Sequence, residues 1–213
     1  MVYKQYEVQF EQFIAACEIH DAAHDINHIK RVVTSAKQLA EAESADLNVV
    51  VPAAWLHDCV SFPKSHPDNK RASVLAADKA INFLQTIGYP EQYYDDIAHA
   101  ITAHSYSANI ATKSLEAEVV QDADRLDGLG AIGVSRCMLV AGKLGSQLYA
   151  EEDPFCHSRT PDSKVAAVDH FYEKLFKTAK TMKTQEGLKE AERRVDFMQG
   201  FLQKLAEEMG ETI

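Results

Sequence analysis

Residues 49–60 read VVVPAAWLHDCV, and this stretch decides the fold class. Every residue in it except His57 and Asp58 is apolar. Pro52 stands early in the segment, and a helix tolerates proline in its first turn. Because a helix that is apolar on every side lies in the middle of a bundle, the stretch predicts a buried central helix that ends near a His-Asp pair.

Helical spacing continues on both sides of this segment. Apolar residues recur every three or four positions over residues 6–17, 29–40 and 72–87. Further helices are predicted over residues 91–102, 123–140, 163–182 and 184–209, with Thr184 as the N-cap of the last and an irregular stretch over 142–160. Val119 and Val120 suggest a strand, but no second alternating run exists to pair with them. The sequence therefore predicts one all-α domain over residues 1–213, with a core over about 20–140 and a C-terminal helical extension over about 160–210.

Composition excludes several classes of function. The chain has 213 residues, with 22 Lys and Arg against 32 Asp and Glu, so its formal net charge is −10. Binding to duplex nucleic acid needs clustered cations and is not expected. The N-terminus lacks the pattern of a signal peptide, and no apolar run reaches the roughly 18 residues of a membrane span. The four cysteines form no CxxC pair, which favours reduced thiols in a cytoplasmic protein without membrane contact. The sequence leaves the oligomeric state open.

The His57-Asp58 pair is the first candidate for chemistry. Burying an imidazole and an ionised carboxylate without partners costs several kcal/mol. A divalent cation satisfies both groups, because it binds a neutral imidazole nitrogen and a carboxylate oxygen together. A buried hydrogen bond between the two side chains at a helix end is an equally good interpretation of this segment alone.

Two other clusters contain residues that bind metals. His24 and His28 are four positions apart, on one face of a helix. Asp122, Asp124 and Asp127 supply three carboxylates within six residues. Taken alone, each cluster is more simply explained as a solvated helix face.

Four motifs in order carry a resemblance to a known family. They are His28 in HIKRV (28–32), His57-Asp58 in WLHD (55–58), the histidine in AHS (103–105) and Asp124 in QDADRLD (121–127), with FPKSHP (62–67) and DHFYEKL (169–175) as further matches. The sequence resembles the HD-domain metal-dependent phosphohydrolases over about residues 20–208, and is most similar to their small bacterial YedJ-like branch.

This resemblance implies a fold, a metal and a reaction. The fold is an HD-domain helical bundle with the metal site in the centre and the C-terminal helices packed over it. His28, His57, Asp58 and Asp124 are the implied metal ligands, and two imidazoles with two carboxylates suit Mn²⁺, Mg²⁺, Fe²⁺, Co²⁺ or Ni²⁺ better than a structural zinc ion. The implied reaction is hydrolysis of a phosphoester or phosphoanhydride bond in a small, nucleotide-like molecule.

The resemblance also matches His99 and His104 to accessory histidines, which with Asp58 form the predicted catalytic set. If one helix continued between the two histidines, they would point about 140° apart and would not share a face. Ser105 and Ser107 indicate that the helix ends near His104, which can then turn inward. Contact with a substrate phosphate or a second metal is one interpretation, and a solvated histidine at a helix end is the other.

Three basic residues are candidates for binding substrate phosphate: Lys64, Arg125 and Arg31. Lys64 precedes Lys70 and Arg71, and solvated loop charges are the commoner outcome for such a group.

Several other polar residues have open roles. Asp25 can orient His28 through the second ring nitrogen, or it can cap a helix, as Asn27 can. Asp122 and Asp127 either support the metal ligands or pair with Arg125 and Arg31. His24, His170 and Lys174 receive no assignment.

A glycine motif and two other functions complete the sequence analysis. Residues 128–133 spell GxGxxG, but no strand precedes them, so small residues that permit close helix packing explain them better than a dinucleotide site. A di-iron oxygenase on a related helical scaffold is one alternative function. A nucleotide-sensing module without catalysis is the other.

Overall fold

The structure is a computed structural model that describes residues 1–17, 25–62, 66–105 and 108–213. Across these ranges the chain forms helices and no β-strand; the isolated bridge between Gln147 and Ala166 is the one pairing of extended backbone. The all-α prediction is therefore confirmed. The α-helices of the described ranges are α1 (Glu7–Ala15), α2 (Ile26–Glu43), α3 (Leu47–Leu56), α4 (Ala72–Thr86), α5 (Tyr94–His104), α6 (Leu115–Asp127), α7 (Gly130–Leu144), α8 (Phe176–Ala179) and α9 (Gln185–Met209).

The chain divides into two compact units. The first comprises Met1–Asp124 with Lys183–Gly187, and the second comprises Arg125–Met182 with Leu188–Ile213. All four predicted metal ligands belong to the first unit.

Helix α3 forms the core of the first unit. It packs against α1, α2 and α5, and α4 packs against both α3 and α5. Asp46 begins the helix as its N-cap, where the carboxylate accepts a 2.8 Å hydrogen bond from the Asn48 N–H. Every residue from Val49 to Leu56 is buried, so the predicted central helix is confirmed.

Pro52 lies two residues deeper in α3 than predicted, and so in the second turn, because the helix begins at Leu47 rather than near Val49. In the second turn a proline leaves the carbonyl four residues earlier without its helical donor. That carbonyl belongs to Asn48, and the buried Tyr89 hydroxyl donates a 2.6 Å hydrogen bond to it. Tyr89 therefore supplies the partner that Pro52 removes.

None of the helices in the described ranges combines the length and the apolar character needed to cross a membrane. The four cysteines are free thiols, of which Cys59 and Cys137 are buried.

In the second unit, the helix predicted over residues 123–140 is interrupted at Gly128 and Leu129, between α6 and α7. A Cβ atom on Gly133 would lie 2.3 Å from the Gly128 carbonyl oxygen, and Gly130 has a φ of 66°. These glycines permit a tight turn between two helices. Gly133 lies in the first turn of α7, and the residue that it approaches follows directly after α6, so the contact brings the two helix ends close together.

The helix predicted to begin near Ser163 begins later. A π-helical turn covers Phe171–Leu175 and leads into α8. Before it, the fully buried Asp169 carboxylate accepts hydrogen bonds from both terminal nitrogens of Arg159, at 2.5 and 2.6 Å, and from the Asp162 N–H at 2.7 Å. These bonds hold the segment before Asp169 in an irregular conformation. Hydrophobic periodicity in the sequence does not indicate such bonds.

The last helix begins as predicted. The Thr184 hydroxyl accepts a 3.1 Å hydrogen bond from the Gly187 N–H, which is the N-cap contact expected from the sequence.

Candidate metal centre

His28 lies in the first turn of α2, at a helix start fixed by Asp25. The Asp25 carboxylate accepts a 2.9 Å hydrogen bond from the His28 N–H, and Asn27 donates to its other oxygen at 3.1 Å. Burial raises the pKa of Asp25, but these hydrogen bonds and the charge of Arg31 outweigh it and lower that pKa. Of the two roles left open for Asp25, the structure thus gives it the N-cap. His24 lies outside the described residues.

His57 follows directly after α3, and its ring is buried. Its Nδ1 lies 2.8 Å from the Ala54 carbonyl oxygen. Since a carbonyl only accepts, Nδ1 carries the proton, and the neutral ring presents the lone pair of Nε2. Within the described part of the chain, that buried Nε2 has no hydrogen-bond partner. A buried polar atom without a partner is costly, and a metal ion supplies what the atom lacks.

Two carboxylates converge on the imidazole nitrogens. Asp58 Oδ2 lies 3.4 Å from His57 Nε2 and 3.7 Å from His28 Nε2. Asp124 Oδ1 lies 3.5 Å from His28 Nε2 and 3.8 Å from His57 Nε2. These separations exceed ordinary hydrogen bonds of about 2.7–3.2 Å. They fall within the roughly 4.2 Å that separates two atoms each bound at about 2.1 Å to one ion.

The donor set therefore fits a divalent cation. The ligand atoms of His28, His57 and Asp58 all lie within 4.8 Å of one another. Asp124 reaches the same nitrogens from α6. We call these four residues the metal cluster.

The carboxylates and imidazoles of the metal cluster change one another's pKa. Burial lowers the pKa of His57, but the Asp58 and Asp124 carboxylates outweigh it and raise that pKa to about 9. Burial raises the pKa of Asp58, but His57 and His104 outweigh it and hold that pKa well below its usual value. Without metal, the cluster thus holds a proton that a cation has to displace.

His104 lies beside the metal cluster, at the last residue of α5. Its ring is buried and meets the His57 ring edge-on, with 4.8 Å between centroids. Its Nε2 lies 3.6 Å from Asp58 Oδ1, the carboxylate oxygen that does not face His28 and His57. The helix end predicted near His104 is confirmed, and the ring turns toward the cluster.

His99 makes a different contact. Its Nε2 accepts a 2.9 Å hydrogen bond from the backbone N–H of Lys113. Among the described residues, the histidines within ion-pair distance of Asp58 are His28, His57 and His104. Of the predicted catalytic residues, His104 and Asp58 therefore lie together, and His99 contacts a different part of the chain.

The three basic candidates have different positions. Arg125 donates a 2.9 Å hydrogen bond from Nη1 to the Thr181 carbonyl. Arg31 lies close enough to Asp25 for its charge to lower the pKa of that carboxyl. Lys64 lies outside the described residues.

Asp122 and Asp127 have partners that the sequence did not indicate. The buried Asp122 carboxylate accepts hydrogen bonds of 2.8–3.0 Å from the N–H groups of Lys183 and Thr184 and from the Thr184 hydroxyl. Asp127 pairs with Arg136 at 2.9 Å. Both contacts stabilise the helix that carries Asp124, one in each compact unit.

Gln121 is the first residue of the QDADRLD motif (121–127), and no role was predicted for it. Its side chain is 3% exposed, and its Nε2 donates a 2.7 Å hydrogen bond to the Ala103 carbonyl. Since Ala103 precedes His104, Gln121 connects α6 to the end of α5 that carries this histidine. The only sequence signal is its position three residues before Asp124, on the same helix face.

Comparison with known proteins agrees with the fold. The family model of the HD domain matches residues 25–129, which include all four cluster residues. The curated protein YpgQ of Bacillus subtilis is 33% identical over 192 residues, which cover 88% of this chain and 85% of YpgQ.

Solved structures of relatives superimpose over nearly the whole chain. The crystal structure of B. subtilis YpgQ in complex with ADP has a TM-score of 0.75 at 32% identity, covering 98% of this chain and 97% of YpgQ. An HD-superfamily hydrolase from Bacillus thuringiensis has a TM-score of 0.77 at 29% identity, covering 97% of this chain and 98% of that protein. The placement in the YedJ-like branch stays a prediction. From its sequence and its structure, the chain belongs to the HD domain family and has the fold of the HD-superfamily hydrolases.

Proposed function

We propose that the chain is a metal-dependent phosphohydrolase that cleaves a phosphoester or phosphoanhydride bond in a nucleotide-like small molecule. The observation that carries this proposal is the convergence of the His28 and His57 Nε2 atoms on the Asp58 and Asp124 carboxylates. The relative YpgQ, which is solved in complex with ADP, supports a nucleoside phosphate as the class of substrate.

In this proposal the metal cluster holds one divalent ion. Two imidazoles and two carboxylates suit Mn²⁺, Mg²⁺, Fe²⁺, Co²⁺ or Ni²⁺. When bound, such an ion lowers the pKa of its water and polarises a phosphoryl oxygen. His28 and His57 each direct a ring nitrogen at the ion, while Asp58 and Asp124 balance its charge.

Asp58 has a second role in the proposed reaction. Its pKa is held well below the usual value, so the carboxylate is ionised at neutral pH and carries the charge that balances a cation. In this proposal the same carboxylate also receives the proton of the attacking water. His104 faces the other oxygen of the same carboxylate at 3.6 Å. It is therefore placed to orient Asp58 and to balance charge that develops on the phosphoryl group.

The proposed substrate contacts come from three basic residues. Arg31 on α2, together with Lys64 and Arg125, is proposed to bind phosphate oxygens. For Arg125 this requires that its guanidinium binds phosphate while one nitrogen donates to the Thr181 carbonyl.

The test is a hydrolysis panel of nucleoside mono-, di- and triphosphates and a generic phosphodiester, run with Mn²⁺, Mg²⁺, Co²⁺ and Ni²⁺. Wild-type protein is compared with His57→Ala and Asp58→Ala, and circular dichroism verifies that each variant is folded. We expect kcat/KM to fall by about 100-fold or more in both variants. His157→Ala, which removes an exposed histidine in the second unit, is the matched control and keeps wild-type turnover.

Undiminished turnover in both folded variants overturns the proposal. Product analysis separates the two alternatives. Oxygen uptake with two iron ions per chain favours the oxygenase, and tight nucleotide binding without any product favours the sensing module.

A further inference from the structure

The C-terminal end of α5 is held by two side chains. The last four carbonyls of a helix lack partners within the helix. At this end, the Ile101 carbonyl lies 2.6 Å from Nδ1 of His104, and the Ala103 carbonyl accepts the 2.7 Å hydrogen bond from Gln121. One contact orients the His104 ring directly, and the other fixes the peptide group that leads into it.

The orientation of the His104 ring repeats that of His57. Each ring directs Nδ1 at the carbonyl three residues earlier, which is Ile101 for His104 and Ala54 for His57. Each therefore presents Nε2 to Asp58, at 3.6 Å and 3.4 Å. His104 thus has the ring orientation of a predicted metal ligand. Like His57, it stands at the end of a helix, and the residue that follows it, Ser105, is extended. An element that holds the backbone at this end also holds the ring in its orientation.

Gln121 on α6 holds the backbone at this end of α5. Only the NH₂ group of a carboxamide can donate to the Ala103 carbonyl, so the hydrogen bond fixes which way the amide points. Its Oε1 is then directed elsewhere, where it is buried and has no hydrogen-bond partner in the described part of the chain. Leaving a buried acceptor unpaired is unfavourable. A purely apolar side chain of similar length avoids that cost, so packing alone does not account for glutamine at this position.

The helix position of Gln121 connects it to the metal cluster. Gln121 and Asp124 are three residues apart on α6 and share a helix face. One rigid element thus presents Asp124 to the imidazoles and the Gln121 amide to the end of α5.

We propose that Gln121 is a positioning residue: its amide holds the Ala103–His104 peptide, so that the His104 ring stays directed at Asp58. The catalytic consequence rests on the proposed function, whereas the orientation of the ring does not.

The test uses two isosteric variants and reads the ring in metal-free protein. Gln121→Glu replaces the donor by an acceptor, and Gln121→Met removes hydrogen bonding at similar length. Nuclear Overhauser contacts between the His104 and His57 ring protons report the orientation of the His104 ring. In wild-type protein we expect these contacts, because the two rings meet edge-on with 4.8 Å between centroids, and in both variants we expect them to weaken and the His104 signals to shift.

Kinetics provide the second readout. We expect kcat to fall by about 10–100-fold in both variants while KM stays within about twofold, because orientation is lost and substrate binding is not. The control is Tyr94→Phe, which removes a 2.7 Å hydrogen bond to the Tyr89 carbonyl at the opposite end of α5. That variant loses stability and keeps the wild-type His104 signals and kcat.

Wild-type His104 signals in both Gln121 variants overturn this proposal, whatever happens to turnover. If wild-type protein shows no hydrolysis with any metal, the proposed function fails, and the spectra of metal-free protein still decide whether Gln121 positions the ring.

Discussion

The proton held by His57 predicts a steep dependence of metal affinity on pH. The neighbouring Asp58 and Asp124 carboxylates outweigh burial and raise the pKa of His57 to about 9. At pH 7 the metal-free ring is therefore protonated in about 99% of molecules. A metal ion binds the neutral ring, so it has to displace this proton. The apparent affinity should then be about 100-fold weaker at pH 7 than its limit above pH 9, and should rise about tenfold per pH unit between them.

The assay is calorimetric titration of metal-stripped protein with Mn²⁺ at pH 6.5, 7.0 and 7.5. Running each titration in two buffers with different heats of ionisation counts the protons released, and we expect about one from His57. An affinity that is constant over this range, or binding without proton release, would refute the reasoning.

The same pKa predicts opposite pH trends for the stability of metal-free and metal-loaded protein. Because the pKa of His57 is raised on folding, its favourable contribution to the metal-free protein is present in full below about pH 6.5 and is lost as pH rises through about 9. That contribution is at most about 3 kcal/mol. Bound metal reverses the trend over the same range, because its affinity increases as the proton leaves. Thermal unfolding with and without Mn²⁺ measures both slopes.

Two further predictions concern stability and are read by denaturant unfolding. Gly187→Ala should lower the free energy of unfolding by about 2 kcal/mol, because the new Cβ would lie 2.4 Å from the Asp122 carboxylate. Its matched control on the same helix is Gly200→Ala, where nothing lies within 4 Å, and it should raise that free energy by about 0.5–1 kcal/mol; equal effects at both sites would contradict the packing argument. Tyr89→Phe should lower the free energy of unfolding by about 1–3 kcal/mol, since it leaves the Asn48 carbonyl next to the proline turn without a donor, and an unchanged value would show that this hydrogen bond is not needed.

The sequence predicted the parts of the fold that depend on local pattern. The apolar segment that ends at His57 forms the central helix, because a helix that is buried on all sides lies in the middle of a bundle. The helix end at His104 and the N-cap at Thr184 were also predicted, since each depends on residues within a few positions. The division of the chain into one core and one extension stays a prediction.

Errors arose where distant side chains determine a backbone conformation. Residues 163–168 have the pattern of a helix, but Asp169 binds Arg159 and the Asp162 N–H, and these contacts hold the segment in another conformation. Asp122 reaches Thr184 across 62 positions, a contact that no periodicity indicates. Pro52 was predicted in a first turn because the helix start at Leu47, after the N-cap Asp46, was not predicted. The Tyr89 hydroxyl that serves the freed Asn48 carbonyl lies 41 positions along the chain.

The metal cluster could be predicted only through ordered motifs. Spacing along the chain could not show that His28 and Asp124, 96 positions apart, come within 3.5 Å. Spacing did predict that the two accessory histidines point in different directions. His99 accepts a hydrogen bond from the Lys113 N–H, whereas His104 faces Asp58. The role of Gln121 was not predicted, because no sequence motif indicates a side-chain amide that binds the end of another helix.

The most direct test of the proposed centre is the number of Mn²⁺ ions bound per chain at pH 8, measured by electron paramagnetic resonance on metal-stripped protein. The account predicts at least one tightly bound ion in wild-type protein and its loss in folded His57→Ala and Asp58→Ala variants. Equal Mn²⁺ binding by wild-type protein and both variants would contradict it.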